Sequence, residues 1–184
     1  MADAAPLYLG LISGTSADGI DAALVRFAPK LEVIAARTSP YPDDLRARIV
    51  SLARNDAAIT LDDLGHLDVE IGACFADATL ALLREANVAP NTITALGSHG
   101  QTVRHRPSGP LPFTLQLGDP NVIAERTGIV TVADFRRADV AAGGQGAPLL
   151  PALHASVFAD NAFPRAILNL GGIANLTLLI SGKP

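Results

Sequence analysis

Three short apolar runs open the chain. Leu7 to Ile12 reads LYLGLI, short and apolar enough for a buried strand. Ser13 to Gly19, SGTSADG, is turn chemistry, and Ile20 to Phe27, IDAALVRF, predicts a second strand. Leu31 to Thr38, LEVIAART, predicts a third, so two hairpin connections, SGTSADG and Ala28-Pro29-Lys30, join three strands. After Pro40 and Pro42 the period changes. Leu45, Ile49 and Leu52 recur at helical spacing behind Asp43 and Asp44, whose charge suits a helix N-terminus. Leu64, Leu67, Ile71, Phe75, Ala78 and Leu82 form the stripe of a longer helix starting near Thr60, with Asp63 as a near capping box. The proline and two asparagines within Asn87 to Asn91 end it.

Beyond that point short strands and helices alternate. Ile93 to Gly97 predicts a strand that gives way to a loop at SHGQT, and Phe113 to Leu117 predicts another. Asp119-Pro120 starts a helix that Gly128 closes. Ile129 to Ala133 predicts a strand, Ala141 to Pro148 a flexible or ligand-facing loop, and Leu149 to Phe158 a helix. Two last strands, Ala166 to Leu170 and Leu176 to Ile180, flank Gly171-Gly172-Ile173-Ala174-Asn175. Strands interleaved with helices predict an α/β fold. The opening meander makes its sheet mixed rather than wholly parallel.

Composition narrows the functional classes. The 184 residues are 49% apolar and 17% charged, which supports a packed core and not a disordered chain. A net charge of −4 without a basic block offers no broad field for nucleic acid, although backbone N–H groups can still bind a local anion. The single Cys74 excludes an intrachain disulfide and a cysteine-rich zinc site. Met1 to Pro6 lacks a basic segment leading into an apolar stretch, and no run of about eighteen apolar residues occurs. The expectation is a soluble cytoplasmic protein without membrane partners.

Five segments carry candidate chemistry. The turn Gly14-Thr15-Ser16-Ala17-Asp18-Gly19-Ile20-Asp21 has two glycines and two hydroxyls to meet an anion, and Asp18 and Asp21 can hold a hydrated Mg²⁺. An ordinary polar hairpin turn accounts for it equally well. It lacks the Gly-Lys-Ser/Thr of a Walker A loop. Gly97-Ser98-His99-Gly100-Gln101-Thr102 follows a predicted strand, where α/β sheets gather ligands; there His99 serves as a proton carrier, as a hydroxyl partner for a sugar, or as an ordinary loop histidine. Asp134 to Asp139 offers Arg136 and Arg137 to an anion or to the neighbouring aspartates. Gly143 to Pro148 permits close backbone approach to a ligand, or is a plain linker. Asn169 to Asn175 echoes the first turn: apolar strand, glycine turn, apolar strand. A serine hydrolase fits poorly, since Gly14 to Gly19 misses Gly-x-Ser-x-Gly by one residue and adjacent Ser98 and His99 make an awkward pair.

Taken together, GLISGTSADGIDAAL, GSHGQTVRHRP, TLQLGDPNVIAERTGI, VADFRRADVAAGGQGAPLLPALH and AILNLGGIANLT resemble anhydro-N-acetylmuramic acid kinases over Leu7 to Ile180. The resemblance implies the actin, sugar kinase and Hsp70 superfamily. The expected fold is a ribonuclease H-like first lobe over residues 1–163, a mixed five-stranded sheet with flanking helices. Residues 164–184 would be the first hairpin of a second lobe. It implies an ATP- and Mg²⁺-dependent enzyme that opens the anhydro bridge of a sugar and phosphorylates O6, and it suggests a homodimer. Gly14, Thr15, Ser16, Ala17, Asp18, Gly19, Ile20 and Asp21 would meet the ATP phosphates from one side, and Gly171 and Gly172 from the other. Asp18 would stand near the metal, and Arg137, His99, Gln101 and Gln145 would line the sugar side. Ala17 stands where the family often has leucine. The family's catalytic aspartate lies in a Gly-Phe-Asp-x-Gly-Pro-Gly-Asn stretch that does not occur before Pro184. The 184 residues alone are therefore expected not to turn over, and the last hairpin to dock on the first lobe or on another copy. The competing expectation is a non-catalytic lobe for sugar binding, phosphate binding or assembly.

Overall fold

In the computed structural model, which describes residues 5–56, 58–160, 162–170 and 174–180, the three opening runs form the expected meander. Strands β1 (Leu7–Ser13), β2 (Ile20–Arg26) and β3 (Glu32–Ser39) pair antiparallel in chain order. Strand alternation sends Leu9, Leu11, Ile20, Ala22 and Leu24 to one buried face. Helices α1 (Asp43–Arg54) and α2 (Leu61–Glu85) contribute to the same core, α2 through Leu67, Ile71, Phe75, Ala78 and Leu82. The N-terminus of α2 is a full capping box: Thr60 Oγ1 accepts from Asp63 N at 3.1 Å, and Thr60 N donates to Asp63 Oδ2 at 3.2 Å. Asn55 closes α1 in the left-handed conformation, φ 64°.

Strand β4 (Ile93–Arg106) is much longer than its sequence suggested and departs from the expected loop at SHGQT. Parallel to β1, it keeps a partner along one edge through Ser98↔Leu11 and Gln101↔Ser13. Along the other edge it meets β6 (Thr131–Val132), parallel, at Leu96 and Gly97, then β5 (Phe113–Leu117), antiparallel, from Gln101 onward. Pairing on both edges holds polar residues extended that local chemistry assigns to a loop. Gly100 absorbs the mismatch at φ +73°, where an added Cβ would lie 2.6 Å from the Leu117 carbonyl. The sheet order is β3-β2-β1-β4-β5 with β6 as a branch on β4, so it has six strands rather than five. The branch is short: of the predicted strand Ile129 to Ala133, only Thr131 and Val132 pair with β4.

Asp119 caps α3 (Pro120–Thr127) by accepting from Asn121 N at 2.8 Å, and Gly128 ends it at φ 69°. A short helix α4 (Phe135–Ala141) follows a left-handed Asp134. Helix α5 (Pro151–Phe158) leads to a separate antiparallel pair, β7 (Arg165–Asn169) and β8 (Asn175–Leu179). This hairpin docks on α5, where His154 Nδ1 and Thr177 Oγ1 share a buried hydrogen bond of 3.0 Å. Its echo glycines, Gly171 and Gly172, lie outside the described residues.

Candidate functional site

The turn between β1 and β2 is tied down from four directions. Ser13 Oγ donates to the Gly19 carbonyl at 2.8 Å across its base. Ala17 N and Gln101 Nε2 both donate to the Gly14 carbonyl, each at 3.0 Å. Arg46 Nε, from α1, donates to the Ala17 carbonyl at 3.0 Å. Ala17 itself is fully buried and lies in the left-handed region at φ 52°. Gly19 lies against the end of β3, where a Cβ would fall 2.9 Å from Thr38 Cγ2 and 3.0 Å from the Ser39 carbonyl. With Ser13, Ala17, Gly19 and Ile20 buried, the tip exposes Gly14, Thr15, Ser16 and Asp18. Hydrogen bonds from Ser16 and Arg46 hold the Asp18 carboxyl below the usual range. Asp21 accepts from the Thr38 hydroxyl at 2.6 Å. Ile20 is 1% exposed, so its side chain belongs to the core and not to a ligand surface.

A second group of polar residues gathers where β4 exchanges β6 for β5. A cleft of about 250 Å³ opens at this fork, walled by Ser98, His99, Gln116, Asp68, Asp134 and Arg137. His99 and Arg137, separated by 38 positions in the chain, thus face one cavity. His99 Nδ1 lies 2.9 Å from the Gly100 carbonyl, which can only accept, so the proton sits on Nδ1 and Nε2 accepts from Arg136 Nε at 2.7 Å. Burial, and then the charge of Arg136, hold the His99 pKa below its ordinary value; the Gly100 bond opposes them. Burial pushes the Asp68 carboxyl up although it accepts from Gly118 N at 2.7 Å. Ser98 Oγ is buried without a hydrogen-bond partner among the described residues, so it has no base to activate it as a nucleophile.

The other expected sugar contacts lie elsewhere. Gln101 is 0% exposed; its amide also donates to the Thr102 carbonyl at 3.1 Å and accepts from the Tyr41 hydroxyl at 3.4 Å. It is a brace for the glycine turn, not a wall of the fork cleft. Gln145 is exposed on the 143–148 loop, with its backbone beside His105. That loop is held by Arg136, whose Nη1 donates to the Gly146 carbonyl at 2.5 Å, and by Asp139, which accepts from Gly146 N at 2.6 Å. The inward arginine is therefore Arg136. Arg137 stays two-thirds exposed, 3.5 Å from Asp134. Adjacency in sequence cannot tell the two apart; one step of helical rotation along α4 does. Sequence reasoning also missed a ladder on β4 and β5. There Gln116 Nε2 donates to Thr102 Oγ1 at 3.1 Å and Thr114 Oγ1 at 2.8 Å, and His105 Nδ1 lies 3.0 Å from Thr114 Oγ1. Alternation on β5 was the available signal.

The family model for anhydro-N-acetylmuramic acid kinase matches residues 6–184. The chain belongs to that family. It is 56% identical over 179 residues to the anhydro-N-acetylmuramic acid kinase of Xylella fastidiosa, covering 95% of this chain and 47% of that relative. It is 55% identical over 178 residues to the same-named protein of Xanthomonas campestris pv. campestris, with 95% and 47% covered. Against that of Coxiella burnetii the figures are 54% over 172 residues, with 94% and 46% covered. The chain thus spans about half the length of the curated relatives it matches. Among the described residues, no group of three or more histidine, cysteine or acidic side chains is placed to hold a metal, and no helix is long and apolar enough to cross a membrane.

Proposed function

We propose that these residues form the first lobe of an ATP-dependent kinase. The enzyme would open the anhydro bridge of 1,6-anhydro-N-acetylmuramic acid and place the phosphate on O6, giving N-acetylmuramic acid 6-phosphate. The observation that carries this reading is the braced turn Gly14–Gly19. Its carbonyls at Gly14, Ala17 and Gly19 are engaged inward, while Thr15 and Ser16 stand exposed at the tip. A turn so arranged suits anionic oxygens. Phosphoryl transfer depends on positioning and charge neutralisation more than on covalent help from the protein.

ATP fits this turn because the tip offers hydroxyl donors and carries Asp18 as its acidic side chain, while Asp21, at the start of β2, is engaged by the Thr38 hydroxyl. Mg²⁺ takes few carboxylates and keeps waters and phosphate oxygens, so a lone Asp18 suits it and a three-ligand cluster is not needed. Bound Mg²⁺–ATP supplies the phosphoryl group and part of its charge neutralisation. Asp18 would release Arg46 to meet the metal, while Arg46 keeps the turn through the Ala17 carbonyl. Gly171 and Gly172 would complete the phosphate grip from the β7–β8 side. The fork cleft would hold the sugar: Arg137 supplies charge, and neutral His99 is held in one tautomer by Arg136. Gln101 acts by bracing the turn, and Gln145 stands exposed on the loop that Arg136 and Asp139 hold.

The general base of bridge opening is assigned to no residue among these 184. The test is direct. The 184-residue chain is incubated with ATP, Mg²⁺ and the anhydro sugar, and sugar phosphate is measured; a nitrogen-15 spectrum follows ATP binding in parallel. The expected result is no turnover, with saturable shifts at the Gly14 to Gly19 amides. Clear turnover would refute the placement of the base, and an unresponsive turn would refute the phosphate reading.

A further inference from the structure

Beside the braced turn lies a second cleft, of about 290 Å³, walled by Thr15, Arg54, Thr102, Arg104, His105 and Arg106. It exists because β4 outruns β1. Their pairing ends at Ser13↔Gln101, and β4 continues to Arg106 beside β5. Among the described residues, the other edge of Thr102 to Arg106 has no neighbouring strand; it lies next to the glycine turn and the C-terminal end of α1.

The charge in this cleft is unbalanced. None of Arg54, Arg104 and Arg106 is ion-paired with a carboxylate among the described residues, whereas seven other arginines are. Arg104 donates through Nη2 to two neutral acceptors, the Leu52 carbonyl at 3.0 Å and Asn55 Oδ1 at 3.1 Å. Those bonds cap α1 and aim the guanidinium, but they leave its charge uncompensated. Arg106 Nη1 donates to the His105 carbonyl at 2.9 Å, again neutral. The C-terminal end of α1 accounts for Arg104 as a cap and favours Arg54 in its last turn, but it does not require Arg106. Burial, then Arg136 and Arg106, depress the pKa of His105, as expected in a positive local field. Three guanidinium groups beside two threonine hydroxyls, in a chain of net charge −4, form a local attractor for anionic oxygens.

We propose that this cleft, beside the Gly14–Gly19 turn, is an anion subsite that binds a carboxylate or phosphoryl group. Naming that group as the nucleotide's phosphates rests on the kinase reading; the subsite rests on the arginines. The source is decided by titrating the nitrogen-15-labelled chain with lactate, inorganic phosphate and ATP at constant ionic strength. The readouts are the Thr15 and Thr102 amides and the arginine Nε–H signals. At least one probe is expected to give saturable shifts at Arg104 and Arg106, with affinity falling about tenfold in Arg106→Gln. Arg126→Gln, on the far helix α3, is expected to leave it unchanged. A lactate response without a phosphate response assigns the subsite to a carboxylate; response to phosphate and ATP alone assigns it to phosphoryl oxygens. Absence of saturable shifts with all three probes overturns the proposal, as does an equal loss in Arg126→Gln. Shifts in this cleft with no ATP response at Gly14 to Gly19 would sink the kinase reading and leave the subsite standing.

Discussion

Gln101 sits where the long central strand grips the glycine turn, and replacing it with methionine tests that grip. The substitution keeps length and apolar volume while removing both donors and the acceptor. Two hydrogen bonds of ordinary length are lost, to the Gly14 and Thr102 carbonyls at 3.0 and 3.1 Å. The contact from Tyr41 at 3.4 Å adds little. A buried hydrogen bond contributes about 0.5–1.5 kcal/mol net, so the pair amounts to roughly 1–3 kcal/mol. The Gly14 carbonyl still accepts from Ala17 N, so it is not stranded, and the cost stays near the middle of that range, about 2 kcal/mol. Burial pushes the Tyr41 pKa up, so its hydroxyl stays protonated and loses only a weak acceptor. For a chain of this size the expected drop in melting temperature is about 4–8 °C. Urea unfolding gives the free energy, and hydrogen exchange at Ala17 N reports the turn itself. Gln101→Met is expected to unfold earlier and to exchange faster at Ala17 than at the core amides of α2. An unchanged midpoint together with unchanged Ala17 protection would show that Gln101 is a passenger in the core and that Ser13, Arg46 and the turn's own Ala17–Gly14 bond hold the turn without it.

Three further outcomes follow from the same contacts. Gly19→Ala places a Cβ within 3.0 Å of the Ser39 carbonyl and closer still to Thr38 Cγ2; it is expected to cost about 1–3 kcal/mol in urea unfolding, with partial recovery in the Gly19→Ala, Thr38→Ser double variant. Thr60→Ala removes the capping box of α2 and is expected to cost about 1 kcal/mol by the same measurement. Burial and the nearby Arg136 charge depress the pKa of His99 and of His105, so the unfolded chain binds protons first on acidification. Their contribution is therefore complete above about pH 6.5 and is lost as pH falls from there toward the depressed folded values. His99→Gln should flatten that fall, and a variant with the same pH slope as the parent would show that His99 does not carry it.

What was readable in the sequence is what is decided within a few residues. The Thr60–Asp63 box, the Asp119-Pro120 start and the Gly128 stop are complete inside one helical turn, and each appears at its expected place. The meander is nearly as local, since neighbouring runs pair through short turns. The Gly14 to Asp21 segment was recognisable as a turn for the same reason. Its braces were not, because Arg46 and Gln101 come from 29 and 87 positions away. The division of labour between Arg136 and Arg137 depended on how α4 lies against β4, which no pattern within Asp134 to Asp139 specifies.

Strand β4 brings these cases together. Its centre, Ser98 to Thr102, is polar and glycine-containing and is read locally as a loop. It is a strand because β1 supports one edge and β5 takes over the other at Gln101. The same handover produces the clefts. On one edge, the gap between the end of β6 and the start of β5 opens the fork that His99 and Arg137 face. On the other, β1 ends at Ser13 and Thr102 to Arg106 run on beside the glycine turn, where three arginines lack acidic partners among the described residues. Gln101 lies at the junction, paired to β1 and β5 through its backbone and to the turn through its side chain. A single over-long strand with mismatched neighbours thus supplies the turn's brace, the walls of both clefts and the spacing between them. Substitutions that shift its register should therefore disturb both clefts together, whereas changes confined to one edge, such as Arg106→Gln, should leave the fork as it is.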